Sequence, residues 1–281
     1  IVFGDWSSDV CSSDLNVGFE DALIAKLLKA RKYHSLNLPS ETLRDLIARA
    51  SETTGDQKAV EQTVREKLHN LVAVYLGDPD YSACKMWLEE AYSSNDATAS
   101  KNVCLDILAS HASTKERIPL LDEFYGQLFG ITGFPESIMD LACGLNPFSL
   151  PWMGLNTGTR YYAYDLHQPR LNLINDLLRL NNMEQLAIHQ DILVEPPTIT
   201  CDVAFFFKEA HRFEQRQRGC NRAFFQALNC KFLLVSLPTI NLTGKHPKTD
   251  QHRRLVMESI KGLPWKVRSE EHTSELQSPN T

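Results

Sequence analysis

"ESIMDLACGLNPF", residues 136–148, decides how the second half of this chain is read. An apolar run, Ile138 to Leu141 with Asp140 inside it, ends at one glycine, Gly144, and then at Asn146-Pro147. A short apolar run closed by turn formers reads as a buried strand entering a tight loop. Similar runs follow at "YYAYDL" (161–166), "AIHQDIL" (187–193), "CDVAFFF" (201–207) and "KFLLVSLP" (231–238), with helical material at 169–182 and 212–229. Strands that alternate with helices in this way predict an α/β domain with a doubly wound, mostly parallel sheet.

Upstream the pattern is helical only. "FEDALIAKLLKARKY" puts Leu23, Ile24, Leu27 and Leu28 on one face. "PSETLRDLIARA" follows Pro39-Ser40, read as an N-cap, and Asp56 to Leu76 carries Val60, Val64, Leu68, Leu71, Val72 and Tyr75 at helical spacing. Two shorter helices are expected at Tyr81–Tyr92 and Asp96–Ala109, and the change of pattern falls near residues 105 to 115.

The two ends are set apart from this. "DWSSDVCSSDL" (5–15) and "RSEEHTSELQS" (268–278) are translations of one DNA and of its reverse complement, the pattern of a sequencing-library adapter. Residues 1–15 and 268–281 are therefore read as non-native tails. The expected organisation is an all-helical domain over 16–108, then an α/β domain over 109–267 whose last strands are expected to be missing, leaving an unpaired sheet edge. The full chain has 29 Lys+Arg against 35 Asp+Glu. The tails hold Arg268 against Asp5, Asp9, Asp14, Glu270, Glu271 and Glu275, so the remainder has 28 basic and 29 acidic residues. A near-neutral balance leaves a nucleic-acid partner to be decided by where the charges lie.

An apolar share of 43% fills a real core at this length. No run of eighteen apolar residues and no charged-then-apolar leader is present, so no membrane partner is expected. Cysteines 84, 104, 143, 201, 220 and 230 form no C-x-x-C pair. Free buried thiols in a reducing cytoplasm, with no metal, are the expectation.

In a doubly wound sheet, ligands sit beyond the carboxyl ends of the strands. Asp140 lies just before the Gly144 turn, Asp165 ends the second strand, and Asp191 ends the third. A pyrophosphate needs several glycines and a helix N-terminus. One glycine with three acids at successive strand ends favours a cofactor without phosphates, S-adenosylmethionine (SAM), over NAD. Asp165 is placed to accept ribose hydroxyls and Asp191 to meet an adenine amino group. The fourth strand runs into "FFFKEAHRFEQ", without the N/D-P-P-Y/F motif of amino-group methylation, and the fifth ends "VSLPT", without the cysteine of carbon-5 pyrimidine methylation. What remains is an atom that is already nucleophilic. Guanine N7 is one, needing positioning and electrostatics rather than a general base.

"HASTKER" (111–117), "LLDEFYGQLF", "DLACGLNPF", "YDLH", "QDIL" and "FK", in this order, resemble the aminoglycoside-resistance 16S rRNA (guanine(1405)-N7)-methyltransferases. The resemblance covers roughly residues 100 to 245. It implies rRNA binding by the helical domain over 16–108, a Rossmann-like SAM-methyltransferase domain over 109–267, and methylation of guanine 1405 in the decoding-site helix of the 30S subunit by a cytoplasmic monomer. It assigns Arg117 to the methionine carboxylate, Ala142 and Gly144 to the turn, and Asp165 to the ribose. Asp191 and Ile192 flank the adenine, Gln217 lies near the pocket, and Lys208 faces the target guanine as the catalytic position. A guanidinium clamps a carboxylate bidentately, which suits Arg117. The competing reading is a solvated arginine beside a capping box, Ser113-Thr114-Lys115-Glu116. Pro119 and the charged stretch "KEAHRFEQRQRG" depart from the pattern.

Basic clusters give the expected RNA contacts: Lys29, Arg31 and Lys32; Arg212 and Arg216; then Lys245, Lys248, Arg253 and Arg254, the last group on a basic loop. Reaching N7 inside an A-form helix implies distortion or extrusion of the base. The alternatives are a methyltransferase of another RNA or a small molecule, and a non-catalytic RNA-binding relative. Asp165→Ala separates the last, since it would leave RNA binding intact in a pure binder.

Overall fold

The computed structural model describes residues 11–34, 36–73, 77–94, 96–237 and 249–267. The two tail stretches lie outside these residues except for Cys11–Leu15, where the first helix begins. The chain opens with α1 (Cys11–Lys29), α2 (Arg31–His34), α3 (Ser40–Ser51) and α4 (Gln57–Val72). Leu23, Ile24 and Leu27 of α1 meet Leu43, Leu46 and Ile47 of α3 and Val60, Val64 and Leu68 of α4 in one closed core. Ser40 is the first residue of α3 rather than its cap, and Pro39 precedes it with no side-chain cap bond. Proline at that point already holds a φ close to the helical value, so the start needs no hydroxyl. Aspartates do cap the next helix: Asp56 accepts from Lys58 and Ala59 N–H.

Helices α5 (Tyr81–Ser93) and α6 (Ala97–Ala109), capped by Asp80 and Asp96, belong elsewhere. Their Cys84, Leu88, Cys104, Ile107 and Leu108 join the core beneath the sheet. Packing therefore divides the chain between Val72 and Tyr81, earlier than the change of sequence pattern. After α7 (Ala112–Lys115), a 3₁₀ turn at Ile118–Leu120 takes up Pro119, and α8 (Leu121–Thr132) begins after it.

The sheet contains β1 (Ser137–Leu141), β2 (Arg160–Asp165), β3 (Ala187–His189), β4 (Thr200–Phe207) and β5 (Asn229–Ser236). The order is β3-β2-β1-β4-β5 and every pairing is parallel, so the expected α/β class holds. Helix α9 (Leu150–Met153) follows β1, α10 (Gln168–Leu180) links β2 to β3, and α11 (Ala210–Arg216) and α12 (Cys220–Ala227) lie between β4 and β5. These two helices are the helical material expected over 212–229. Gly219, at φ +78°, separates them.

Alternate residues of each strand enter opposite cores. Ile138, Tyr161, Val203 and Phe205 face α5, α6, α8 and α10. Met139, Tyr162, Ala204 and Phe206 face α11 and α12. Burial on both faces is why the strands read as continuous apolar runs. Helix α13 (Thr249–Ile260) replaces part of the expected basic loop, with Ile260 and Leu263 packed against the second core. Among the described residues β5 has no partner on its outer side, and Phe232 is 39% exposed there. No described helix is long and apolar enough to cross a membrane, and no described group of His, Cys, Asp or Glu could hold a metal. Cysteines 84, 104, 143, 201, 220 and 230 are free, five of them buried.

Candidate active site

The reversal of strand order between β1 and β4 opens a crevice at their carboxyl ends, the ligand position of such sheets. A cavity of about 520 Å³ lies there. Its floor is the turn after β1. Ala142 (φ +53°) and Gly144 (φ +56°) both stand in the left-handed region, costly for alanine and free for glycine. A Cβ on Gly144 would touch only Arg170, at 3.8 Å, so backbone conformation rather than space calls for glycine here. Cys143 N–H donates to Tyr164 O at 2.8 Å and Gly144 N–H to Asp165 Oδ2 at 3.0 Å, which lashes the turn to the end of β2.

Arg117 is buried in the lining of the cavity, not solvated. Its guanidinium lies 4.6 Å from the ring centre of Phe207 and 5.1 Å from that of Phe124, and it donates to Asn146 Oδ1. Asn146 is fixed in turn: Tyr125 OH donates to its Oδ1 at 2.9 Å, and its Nδ2 donates to Asp140 Oδ2 at 2.9 Å. The expected capping box does not form. His111 is the cap of α7, and Glu116, at its far end, pairs with Lys208.

Lys208 and Glu209 follow β4 and line the same cavity. Lys208 has φ +60°, a strained conformation of the kind that collects at functional sites. Its Nζ reaches Ser113 O at 3.2 Å. Burial pushes its ammonium down to about 8. Glu116 is 63% exposed, so water screens its opposing pull. Burial, helped by the charge of Asp165 and opposed by Arg212, pushes the Glu209 carboxyl up to about 7.

Of the residues singled out from sequence, Arg117, Ala142, Gly144, Asp165, Asp191, Ile192 and Lys208 line this one cavity, as do Arg212 and Arg216. Asp140 and Gln217 do not. Asp140 lies below the turn, accepting from Tyr161 OH at 2.6 Å and bracing Asn146. Gln217 ends α11, its N–H on Phe213 O. Arg216 is a correction: it is no solvent-facing phosphate contact. It is almost buried and pairs with Asp191 at 2.7 Å and Asp45 at 3.2 Å. Lys29 is exposed at the end of α1, and Arg253 and Arg254 are exposed on α13. The side chains of Arg31 and Lys32, and Lys245 and Lys248 altogether, lie outside the described residues. Sequence reasoning missed Glu209, Arg170 and the wall built by Leu46, Lys67 and Asn70. The charged stretch after β4 was the one signal for the first of these.

The cavity's donor set fits an adenosyl cofactor with an amino-acid tail. A guanidinium lines it, a close-approach turn forms the floor, carboxylates end β2 and β3, and Ile192 and Phe213 supply an apolar wall. Fold and site together define a doubly wound methyltransferase-type domain.

Comparison with known proteins narrows the class. The ribosomal RNA methyltransferase (FmrO) family matches residues 29–261, and the chain belongs to that family. A 16S rRNA (guanine(1405)-N(7))-methyltransferase from Serratia marcescens is 31% identical over 232 residues, 82% of this chain and 84% of its own length. One of the same name from Micromonospora rosea is 29% identical over 224 residues, 79% of this chain and 81% of its own. Among solved structures, an rRNA methylase from Escherichia coli superposes with TM-score 0.65 at 27% identity, covering 87% of this chain and 90% of that one. The 16S rRNA methylase RmtB gives 0.66 at 26%, covering 87% and 89%.

Proposed function

We infer that the chain transfers a methyl group from S-adenosylmethionine to N7 of guanine 1405 of 16S rRNA, within the 30S subunit, and thereby confers aminoglycoside resistance. The relatives named for this reaction support the reading, and the observation that carries it is the pair Lys208-Glu209 at the end of β4, lining one cavity with Arg117 and Asp165. SAM supplies an electrophilic methyl group on a sulfonium. The chain supplies position and field.

Arg117, clamped between two rings, presents a fork suited to the methionine carboxylate. Asp165 is held by Gly144 and Arg170 where ribose hydroxyls would lie. Lys208 Nζ is a donor suited to guanine O6, beside the reacting N7. Glu209, when ionised, is an acceptor suited to the guanine N1–H and favours positive charge developing on the base. N7 carries no proton, so no residue has to remove one. Arg253 and Arg254 on α13 and Lys29 on α1 are assigned to RNA phosphates.

The test is transfer of labelled methyl from SAM to 30S subunits, followed by borohydride and aniline. Label on 16S rRNA with scission at one guanine is expected. SAM bound without label on the subunit would sink the assignment.

A further inference from the structure

The loop after β3 and helix α3 are joined by a buried polar cluster. Asp191, 2% exposed, is at its centre. Its Oδ1 accepts from Leu193 N–H at 3.1 Å and from Arg216 Nη1 at 2.9 Å. Its Oδ2 accepts from Thr42 Oγ1 at 2.8 Å and pairs with Arg216 Nη2 at 2.7 Å. A carboxylate offers about four lone-pair positions, so the chain itself fills them all. An adenine amino group could reach Asp191 only by displacing one of these donors.

The cluster continues into the helical part of the chain. Arg216 Nη2 lies 3.2 Å from Asp45 Oδ2, and Arg49 Nε donates to Asp45 Oδ1 at 2.7 Å. Thr42 is fully buried and precedes Leu46 by one helical turn. Leu46 lines the cavity, together with Lys67, Asn70 and Leu71 of α4, while Asp191 and Ile192 line it from the sheet side. One wall therefore comes from the N-terminal helices and the other from the sheet. The polar cluster spans the join between them.

We propose that Thr42, Asp45 and Arg216 are positioning residues for the cofactor: acting through Asp191, they hold helix α3 against the loop after β3 and set the width of the adenosine end of the cavity. Asp191 is then a fastening as well as a part of the cavity wall. The inference rests on the reading of this cavity as the SAM site. A buried fastening of this kind also fixes geometry more than it adds net stability, because desolvation offsets much of the attraction.

Three substitutions isolate the effect. Thr42→Val removes the donor at nearly constant volume, Thr42→Ser returns it, and Asp45→Asn removes the charge that orients the far side of Arg216. Arg44→Ala, which breaks exposed pairs of the same helix with Glu20 and Asp21, is the control. The probe is S-adenosylhomocysteine, titrated calorimetrically into the full chain, with melting followed in the same samples. Thr42→Val and Asp45→Asn are expected to weaken binding about tenfold at temperatures where both remain folded, matching the loss of one hydrogen bond to a charged group. Thr42→Ser should return to within about twofold of wild type, and Arg44→Ala should bind as wild type does. A purely structural role would lower the melting temperature and leave affinity unchanged in the folded protein, and that result would overturn the proposal. If Thr42→Val does not fold, wild-type affinity in Asp45→Asn overturns it equally. Failure of the wild-type chain to bind the probe would instead overturn the cofactor reading, and the proposal with it.

Discussion

Arg170 Nη1 stands 3.0 Å from Asp165 Oδ2, and the same guanidinium reaches Asp78 Oδ1 at 2.6 Å. The arginine thus joins the end of β2 to the segment ahead of α5, with Arg170, Asp165 and Asp78 all nearly buried. Asp165 is presented to the cavity already oriented.

Removing this arginine leaves two buried carboxylates without their counter-charge. Arg170→Met is expected to lower unfolding stability by about 3 kcal/mol, the scale of a broken buried pair, in denaturant titration at pH 7. Burial pushes the Asp78 carboxyl up, but the His167 hydrogen bond and the Arg170 charge outweigh it and hold the group below its ordinary value. A depressed carboxyl stabilises the fold above its unfolded pKa, and that contribution disappears as pH falls through the folded value. The deficit of Arg170→Met should therefore shrink in acid. A deficit that does not change with pH would show that the loss is one of packing.

Asp140 has the opposite sign. Burial pushes its carboxyl up to about 7, against the pull of Tyr161 and Asn146. Between the ordinary carboxylate range and pH 7 the folded state holds a proton that the unfolded state has released, so stability declines as pH rises through that window. Asp140→Asn keeps an acceptor for Tyr161 and Asn146 and cannot ionise. Its melting temperature relative to wild type should rise by at least ~2–4 °C between pH 5 and pH 8, about 1 kcal/mol for a chain of this size. Equal melting differences at the two pH values would contradict it.

The pair at the end of β4 predicts a bell-shaped pH dependence of methyl transfer at saturating SAM. The rate should rise as Glu209 ionises near 7 and fall as Lys208 loses its proton near 8. Glu209→Gln should flatten the acid limb, and Lys208→Arg, which keeps its charge, should flatten the alkaline one. An unchanged acid limb in Glu209→Gln would remove Glu209 from contact with the base.

Arg253 and Arg254 are exposed on α13, away from the cofactor contacts. Neutralising both should weaken 30S binding and reduce the slope of log K against log salt by about 1.5, with affinity for SAM unaltered. A wild-type slope would take α13 out of the interface.

The strand ends were legible because their signal is local. A buried strand is a continuous apolar run, and Asp165 and Asp191 stand where such runs stop. Gly144 was legible for the same reason, as a turn former at a strand end. Arg216 was not. In sequence it belongs to a basic run, and its partners Asp191 and Asp45 are 25 and 171 positions away. Only the folded chain turns an apparent phosphate contact into a buried cross-brace. Helices α5 and α6 misled similarly. Their periodicity shows which face is apolar but not whether that face meets other helices or a sheet.

The brace between the helices and the sheet also bears on how the molecule forms. Thr42 and Asp191 are 149 positions apart, and Asp45 and Arg216 are 171 apart. Contacts of such separation require closure of long loops, which slows their formation. The N-terminal helices close a core of their own, so they can assemble first, while the cofactor cavity waits until both of its walls meet. A refolding experiment should then show helical signal recovering in a fast phase and cofactor binding in a slower one. Binding competence is then expected to return last.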